Sequence, residues 1–164
     1  MKQAALVIIK PDGLNKGIAG NILTKFANAE LELIAIRVVR VSKQLAEEHY
    51  KHIRGKPFFK QVIEYIIGKY HKEKNVIAMV YYADNAIKKC RTIAGATNPE
   101  EAAPKSIRGA FGRITTKGVY ENVVHVSSDV KEARREIKLW FSCDQLTKEI
   151  YPTKLSIQKR RVWA

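Results

Sequence analysis

The run Asn122-Val123-Val124-His125-Val126-Ser127-Ser128-Asp129 sets one imidazole among β-branched residues, just ahead of a strong helix start. Imidazole is the side chain best able to act near neutral pH, and one ring nitrogen can react while a second group holds the other. Val123, Val124 and Val126 suit a buried strand, which would deliver His125 at a strand's C-terminal end. A histidine among valines also fits a packed core residue, and this window alone leaves both readings open. Three cationic residues elsewhere bear on the choice. Lys10 ends an apolar run immediately before Pro11-Asp12-Gly13, where it could equally be a snorkelling strand-end lysine. Arg91 and Arg108 flank the loop Gly95-Ala96-Thr97-Asn98-Pro99. Either arginine alone reads as a surface charge, but the combination is what phosphate recognition requires. Arginine forks match phosphate oxygens bidentately, and a threonine hydroxyl adds a neutral hydrogen bond. Neither G-x-x-x-x-G-K-S/T nor G-x-G-x-x-G occurs, which disfavours a P-loop or a Rossmann nucleotide binder.

The elements that must position these groups alternate along the chain without repeats or linkers. Ala4 to Ile9 reads as a strand closed by a Pro11-Asp12-Gly13 turn, and Ile18 to Ala29 as a helix carrying Ile22, Leu23 and Phe26. Leu31 to Val41 is a second strand, and Ser42 caps a helix containing Leu45, Ala46 and His49. Pro57 opens a helical segment through Phe58, Phe59, Val62, Ile63 and Ile66. After the charged loop Lys69 to Lys74 comes the strand Val76 to Tyr82, then a helix capped by Asp84 that stops near Gly95. The last helix places Val130, Ala133, Ile137 and Trp140 on one face, behind a capping-box pattern at Asp129 and Glu132. The order is βαββαβ with extra helices. It predicts an α/β (α+β) ferredoxin-like domain, a four-stranded antiparallel sheet covered by helices on one face.

Composition narrows the class. A chain of 164 residues is most simply one domain with a real core. No apolar run approaches the roughly 18 residues that span a membrane, and the N-terminal apolar stretch is too short for a secretory signal. Cys90 and Cys143 lie in no metal or redox motif, which suits reduced thiols and a cytoplasmic location. The net charge of +14 implies an anionic ligand. Its cationic clusters are spread rather than massed, so a nucleic-acid footprint is possible but not predicted.

Lys10-Pro11-Asp12-Gly13, Glu48-His49-Tyr50, Pro57-Phe58-Phe59, Gly95-Ala96-Thr97-Asn98-Pro99, Ile107-Arg108-Gly109, Asn122-x-x-His125-x-Ser127 and Arg135-Glu136-Ile137-x-Leu139-Trp140-Phe141 occur in an order that resembles nucleoside diphosphate kinases. Each motif is weak alone; in register over Ala4 to about Pro152 they are specific. The resemblance implies a single kinase-like domain over 1–152, followed by a basic tail over 153–164 with no readable role. It implies transfer of the γ-phosphate of a nucleoside triphosphate to a nucleoside diphosphate by a ping-pong route, with phosphohistidine formed at His125. Glu136 matches the carboxylate that orients the imidazole, and Ser127 the supporting hydroxyl, although Ser127 also suits a helix cap. Lys10, Tyr50, Arg91, Thr97 and Arg108 match the phosphate-binding set, Phe58 the aromatic against which the base stacks, and Asn122 a sugar contact. Stacking alone implies weak base discrimination. The family further implies Mg²⁺ carried by the nucleotide phosphates, with no protein metal ligands, and a homo-oligomer, a hexamer before a tetramer or dimer.

The chain departs from the family pattern in four places. Ala110 stands where an aspartate usually follows Ile-Arg-Gly, and Ser128 precedes a displaced Asp129. The segments Lys69 to Lys74 and Arg113 to Glu121 are longer than the common form and read as surface loops, the second beside the site. Two rival functions use the same fold: a non-catalytic nucleic-acid binder, and a carrier passing phosphate from histidine to protein. An orienting carboxylate is superfluous to the first, and base and sugar contacts to the second.

Overall fold

Ala4 to Ile9 is apolar without interruption, and the fold buries both sides of it. In the computed structural model, which describes residues 1–155, this run lies in β1 (Lys2–Ile9). The strand is antiparallel to both β3 (Asn75–Asp84) and β6 (Val124–Val126). β2 (Glu32–Arg40) pairs with the far side of β3, giving the order β2-β3-β1-β6. This is the four-stranded antiparallel sheet that the element order implies.

Alternation along β1 divides the core in two. Ala5, Val7 and Ile9 pack with Ile22 and Phe26 of α2 (Ala19–Ala27) and with Ile87 and Cys90 of α5 (Ala86–Ala94). Ala4, Leu6 and Ile8 pack with Ala46 of α3 (Lys43–His49), Ile63 and Ile66 of α4 (Phe59–Ile66), and Ile137 and Trp140 of α7 (Val130–Trp140). Helices therefore cover both faces, not the one expected. The reason is written in β1 itself, whose continuous apolar run has no face suited to water. Each fully buried leucine or isoleucine there contributes about 1.5–3 kcal/mol.

Several local expectations change. Pro11-Asp12-Gly13 opens a short helix, α1 (Pro11–Asn15), with Pro11 in its first turn, where a missing N–H costs nothing. Asp84 does not cap α5; it ends β3 and pairs with the N-terminal amine at 3.1 Å, while Asn85 takes the cap position at φ +53°. Pro57 lies in a turn ahead of α4, whose cap residue is Phe58. Asp129 does cap α7, accepting from Glu132 N–H at 2.9 Å, but the Glu132 carboxylate binds Arg135 instead of closing the box. The extended segment Arg113 to Glu121 is a two-stranded ribbon, β4 (Arg113–Ile114) and β5 (Tyr120–Glu121), not an irregular loop. It follows the short helix α6 (Ile107–Phe111). Cys90 is buried, Cys143 is exposed, and both are free thiols. No helix among the described residues is long and apolar enough to cross a membrane. Most of the basic tail, residues 156–164, lies outside the described residues.

Candidate active site

β6 is only three residues long, and His125 is its central residue, opposite Ile8 of β1, rather than its C-terminal end. What aims the imidazole is the kink before it. Val123 has φ +54°, a left-handed conformation that costs an L-residue with a Cβ roughly 1–2 kcal/mol. Two hydrogen bonds hold it there. Lys10 N–H donates to the Val123 carbonyl at 2.8 Å, and Val123 N–H donates to Asp12 Oδ2 at 3.0 Å. Asp12 is itself 1% exposed, so this clamp works out of reach of water. Beside the kink, Asn122 Oδ1 accepts from Lys10 Nζ at 2.6 Å, and its amide donates to the Thr97 carbonyl at 2.9 Å.

Behind the imidazole runs a buried relay. His125 Nε2 lies 3.0 Å from Glu136 Oε1. Ser127 Oγ donates to Glu136 Oε2 at 2.5 Å and accepts from Leu6 N–H at 3.1 Å. Ser127 therefore supports the carboxylate, and the cap role falls to Asp129. Burial opposes ionisation of Glu136, but His125 and the Ser127 hydroxyl outweigh it and hold the carboxyl below its ordinary range. A carboxylate facing Nε2 selects the Nε2–H tautomer, which leaves the lone pair on Nδ1. His49 packs edge-on against the His125 ring, with centroids 4.4 Å apart. Burial above all, with Arg135 and the neighbouring His125 imidazole acting in the same direction, holds His49 well below the usual histidine range, so it is neutral. Trp140 Nε1–H donates to its Nδ1 at 3.0 Å. His49, His125 and Glu136 are close enough to surround a metal ion, but the His125–Glu136 and Trp140–His49 hydrogen bonds already account for the facing atoms.

In front of the imidazole is a cavity of about 620 Å³, lined by Lys10, Tyr50, Phe58, Arg91, Thr97, Arg108, Asn122 and His125 among others. The fold thus brings together residues from eight separate elements and loops, while Ser127 and Glu136 stand behind His125. Burial, aided by the charge of Arg108 and opposed by that of Asp12, lowers the Lys10 amine to about 8. Burial and the Glu136 charge raise the Tyr50 phenol above its usual range, so it remains a donor at neutral pH. Burial lowers Arg108 to about 10, so it stays charged. Its Nη1 donates to the Gly95 carbonyl at 2.6 Å and its Nη2 to the Val124 carbonyl at 3.0 Å, so this arginine braces the site as well as facing it. Only glycine fits at 95, where φ is +85° and a Cβ would stand 2.2 Å from Ser106 Oγ. Arg91 and Thr97 are exposed, and Phe58 is 48% exposed.

Sequence reasoning missed four contributors. Asp12 was visible only as a turn residue, and His49 only as part of Glu48-His49-Tyr50. Tyr65 lines the cavity beneath Lys10, whose Nζ sits 5.5 Å from its ring centre. Gly118, Val119 and Tyr120 of the β4–β5 ribbon form a further wall. Of the four family departures, the long segment Arg113 to Glu121 reaches the cavity and the two substituted positions do not. Ala110 and Ser128 are both exposed and neither lines the cavity. Among the described lining residues there is no carboxylate. That donor set fits Mg²⁺ brought on nucleotide phosphates and largely hydrated, rather than held by protein ligands.

A family model described as nucleoside diphosphate kinase matches residues 3–146. A nucleoside diphosphate kinase from Caldanaerobacter subterraneus subsp. tengcongensis is 46% identical over 139 residues, covering 85% of this chain and 94% of that one. The Halobacterium salinarum enzyme in complex with CDP superimposes with a TM-score of 0.81 at 31% identity, covering 92% of this chain and 95% of that one. A transition-state mimic of the Borrelia burgdorferi enzyme, with bound vanadate and ADP, gives 0.80 at 28%, covering 92% and 93%. With a matching family model over most of its length and relatives this similar, the chain belongs to the nucleoside diphosphate kinase family, enzymes that transfer phosphate between nucleotides.

Proposed function

We propose that the phosphoryl group passes through Nδ1 of His125. The observation that carries this reading is an imidazole whose Nε2 is held by a buried carboxylate while its ring faces a cation-lined cavity. A nucleoside triphosphate enters with its base against Phe58, its sugar near Asn122, and its phosphates among Lys10, Arg91, Thr97 and Arg108. The Nδ1 lone pair forms a bond to the γ-phosphorus as the bond from that phosphorus to the β–γ bridging oxygen breaks. The electron pair leaves with the nucleoside diphosphate. Lys10 and the Tyr50 hydroxyl stabilise negative charge on the transferring group, and Glu136 stabilises the positive charge that develops on the imidazole. A second nucleoside diphosphate then reverses the path and removes the phosphate. Mg²⁺ on the phosphates, when bound, supplies further charge neutralisation.

The ADP and CDP held by the two relatives are a purine and a pyrimidine nucleotide, which supports acceptance of both by a stacking site. A polyanion binder would not need the Glu136–His125 pair, so nucleic-acid binding is the weaker reading. Assembly is supported by edge strand β2, where Ile36 is 51% and Val38 66% exposed. A homo-oligomer, a hexamer first, is the reading to test by analytical ultracentrifugation. Free Cys90 and Cys143 support a reducing, cytoplasmic setting.

The deciding experiment is incubation with γ-labelled ATP, followed by acid and base treatment. Label that is lost in acid, kept in base and absent from a folded His125→Ala variant supports phosphohistidine. A folded His125→Ala variant that retains most of its turnover refutes it. One domain over 1–152 with a dispensable tail predicts that truncation after Pro152 leaves the exchange rate intact.

A further inference from the structure

We propose that Tyr65 is a positioning residue for phosphoryl transfer: its ring holds the Lys10 ammonium at the cavity, and the extended loop Lys69 to Lys74 holds that ring in turn through His71. This rests on the nucleotide reading above and adds to it how the amine is placed.

Lys10 needs a holder that leaves its charge intact. A lysine head is a compact charge on a flexible stem, with three N–H donors. Here Nζ donates to Asn122 Oδ1 at 2.6 Å, and the Asp12 carboxylate offsets only part of the effect of burial on the amine. A carboxylate in direct contact would neutralise the charge that the transferring phosphoryl group must meet. An aromatic face attracts a cation without neutralising it, and does so most strongly where water is excluded. The Tyr65 ring stands in that place. It is 5% exposed, lines the cavity from the last turn of α4, and has its centre 5.5 Å from Lys10 Nζ.

Two supports hold the ring. Burial, then the Asp12 carboxylate that its hydroxyl faces, raises the phenol above its usual range, so it stays a neutral donor. Neither that hydroxyl nor Asp12 Oδ1 has another hydrogen-bond partner among the described residues. Arg108 and His49 lie within electrostatic reach of Lys10, and Glu121 and Tyr50 within reach of Tyr65. The second support is the loop. His71 packs edge-on against Tyr65, with ring centroids 5.3 Å apart. Its Nε2 is buried with no hydrogen-bond partner among the described residues, so the packed ring, rather than that nitrogen, is what the loop uses. Lys74 Nζ pins the loop by donating to the Gly68 carbonyl at 2.6 Å and to the His71 carbonyl at 2.9 Å. His71 itself lines a separate cleft with Asp12, Lys16 and Arg113, not the nucleotide cavity.

The test measures single-turnover phosphoenzyme formation from labelled ATP, the pH profile of kcat/KM and calorimetric affinity for ADP. It uses the full chain and its Tyr65→Leu, Tyr65→Phe and His71→Ala variants. Tyr65→Leu keeps apolar bulk but loses the π-face, and should slow phosphorylation about tenfold. Its ammonium is less stabilised, so the alkaline limb should move down by about half to one pH unit. ADP affinity should hold, because Lys10 serves the transferred group. Tyr65→Phe keeps the face and should keep both rate and limb. His71→Ala should slow phosphorylation less, about threefold, with the limb moving the same way. An unchanged Tyr65→Leu rate overturns the proposal, as does a limb that stays or moves up, which would mean that the ring only excludes water. So does a Tyr65→Phe loss as large as that of Tyr65→Leu, or an unchanged rate in His71→Ala. Should Tyr65→Leu fail to fold by circular dichroism, His71→Ala decides on the same criteria. An unmodified protein that takes up no acid-labile label would instead remove the nucleotide reading beneath it.

Discussion

Replacing Glu136 with glutamine separates charge from shape at the centre of the relay. The carboxylate accepts from His125 at 3.0 Å through Oε1 and from Ser127 at 2.5 Å through Oε2. A carboxamide has one acceptor. With its oxygen on His125, its NH₂ must donate to Ser127 Oγ, whose own proton then turns to the Leu6 carbonyl 3.5 Å away. The shape survives, but a charge-assisted hydrogen bond of about 1.5–3 kcal/mol becomes a neutral one of about 0.5–1.5 kcal/mol. The difference, on the order of 1–1.5 kcal/mol, bears hardest on the transition state, where the imidazole becomes cationic. That alone slows phosphorylation about tenfold. The flipped amide would donate to Nε2 and put the proton on Nδ1, removing the nucleophile from part of the population. The combined expectation is a loss of roughly 10- to 100-fold in single-turnover phosphoenzyme formation, read by rapid quench with labelled ATP. Nucleotide affinity should hold, because Glu136 stands behind the histidine. A rate within twofold of the unmodified protein would refute the relay. The same carboxyl has a depressed folded pKa, so its stabilising contribution is present above the ordinary glutamate range and is lost as pH falls below it.

The two arginines should differ in a way their sequence contexts do not suggest. Arg91→Ala should weaken ADP by about 1.5–3 kcal/mol without affecting adenosine or urea stability, whereas Arg108→Ala should also destabilise by about 1–3 kcal/mol, since its guanidinium braces Gly95 and Val124. Equal urea midpoints for the two variants would contradict this. Lys10, lowered to about 8, should impose a falling limb on kcat/KM as pH rises through that value. Bound phosphate raises the amine again, so the limb in kcat should lie at higher pH; coincident limbs would rule out a direct Lys10–phosphate contact. Trp140→Phe strips His49 Nδ1 of its buried donor and should cost about 1–3 kcal/mol in denaturant melts near neutral pH. A smaller loss would mean that water or a shifted ring satisfies the imidazole.

Residue type and local spacing determined much of this protein. The β-branched and apolar runs become β1, β2, β3 and part of β6, and Asp129 starts α7 as its side chain requires. Chemically distinctive residues were also legible from their motifs. Lys10, Tyr50, Arg91, Thr97, Arg108, Asn122 and His125 all line one cavity, with Glu136 and Ser127 behind it. What stayed hidden depends on contacts between distant segments. Val123 looks like ordinary strand, and only Asp12 and the Lys10 amide, more than a hundred residues earlier, hold it left-handed. Ser127 suited two roles, and it supports Glu136 because Asp129, two residues on, takes the helix cap. Coverage of both sheet faces, the contribution of the β4–β5 ribbon to the cavity wall and the double duty of Arg108 have the same origin. Periodicity fixes which way a side chain points within its own element, but not which neighbouring element meets it there.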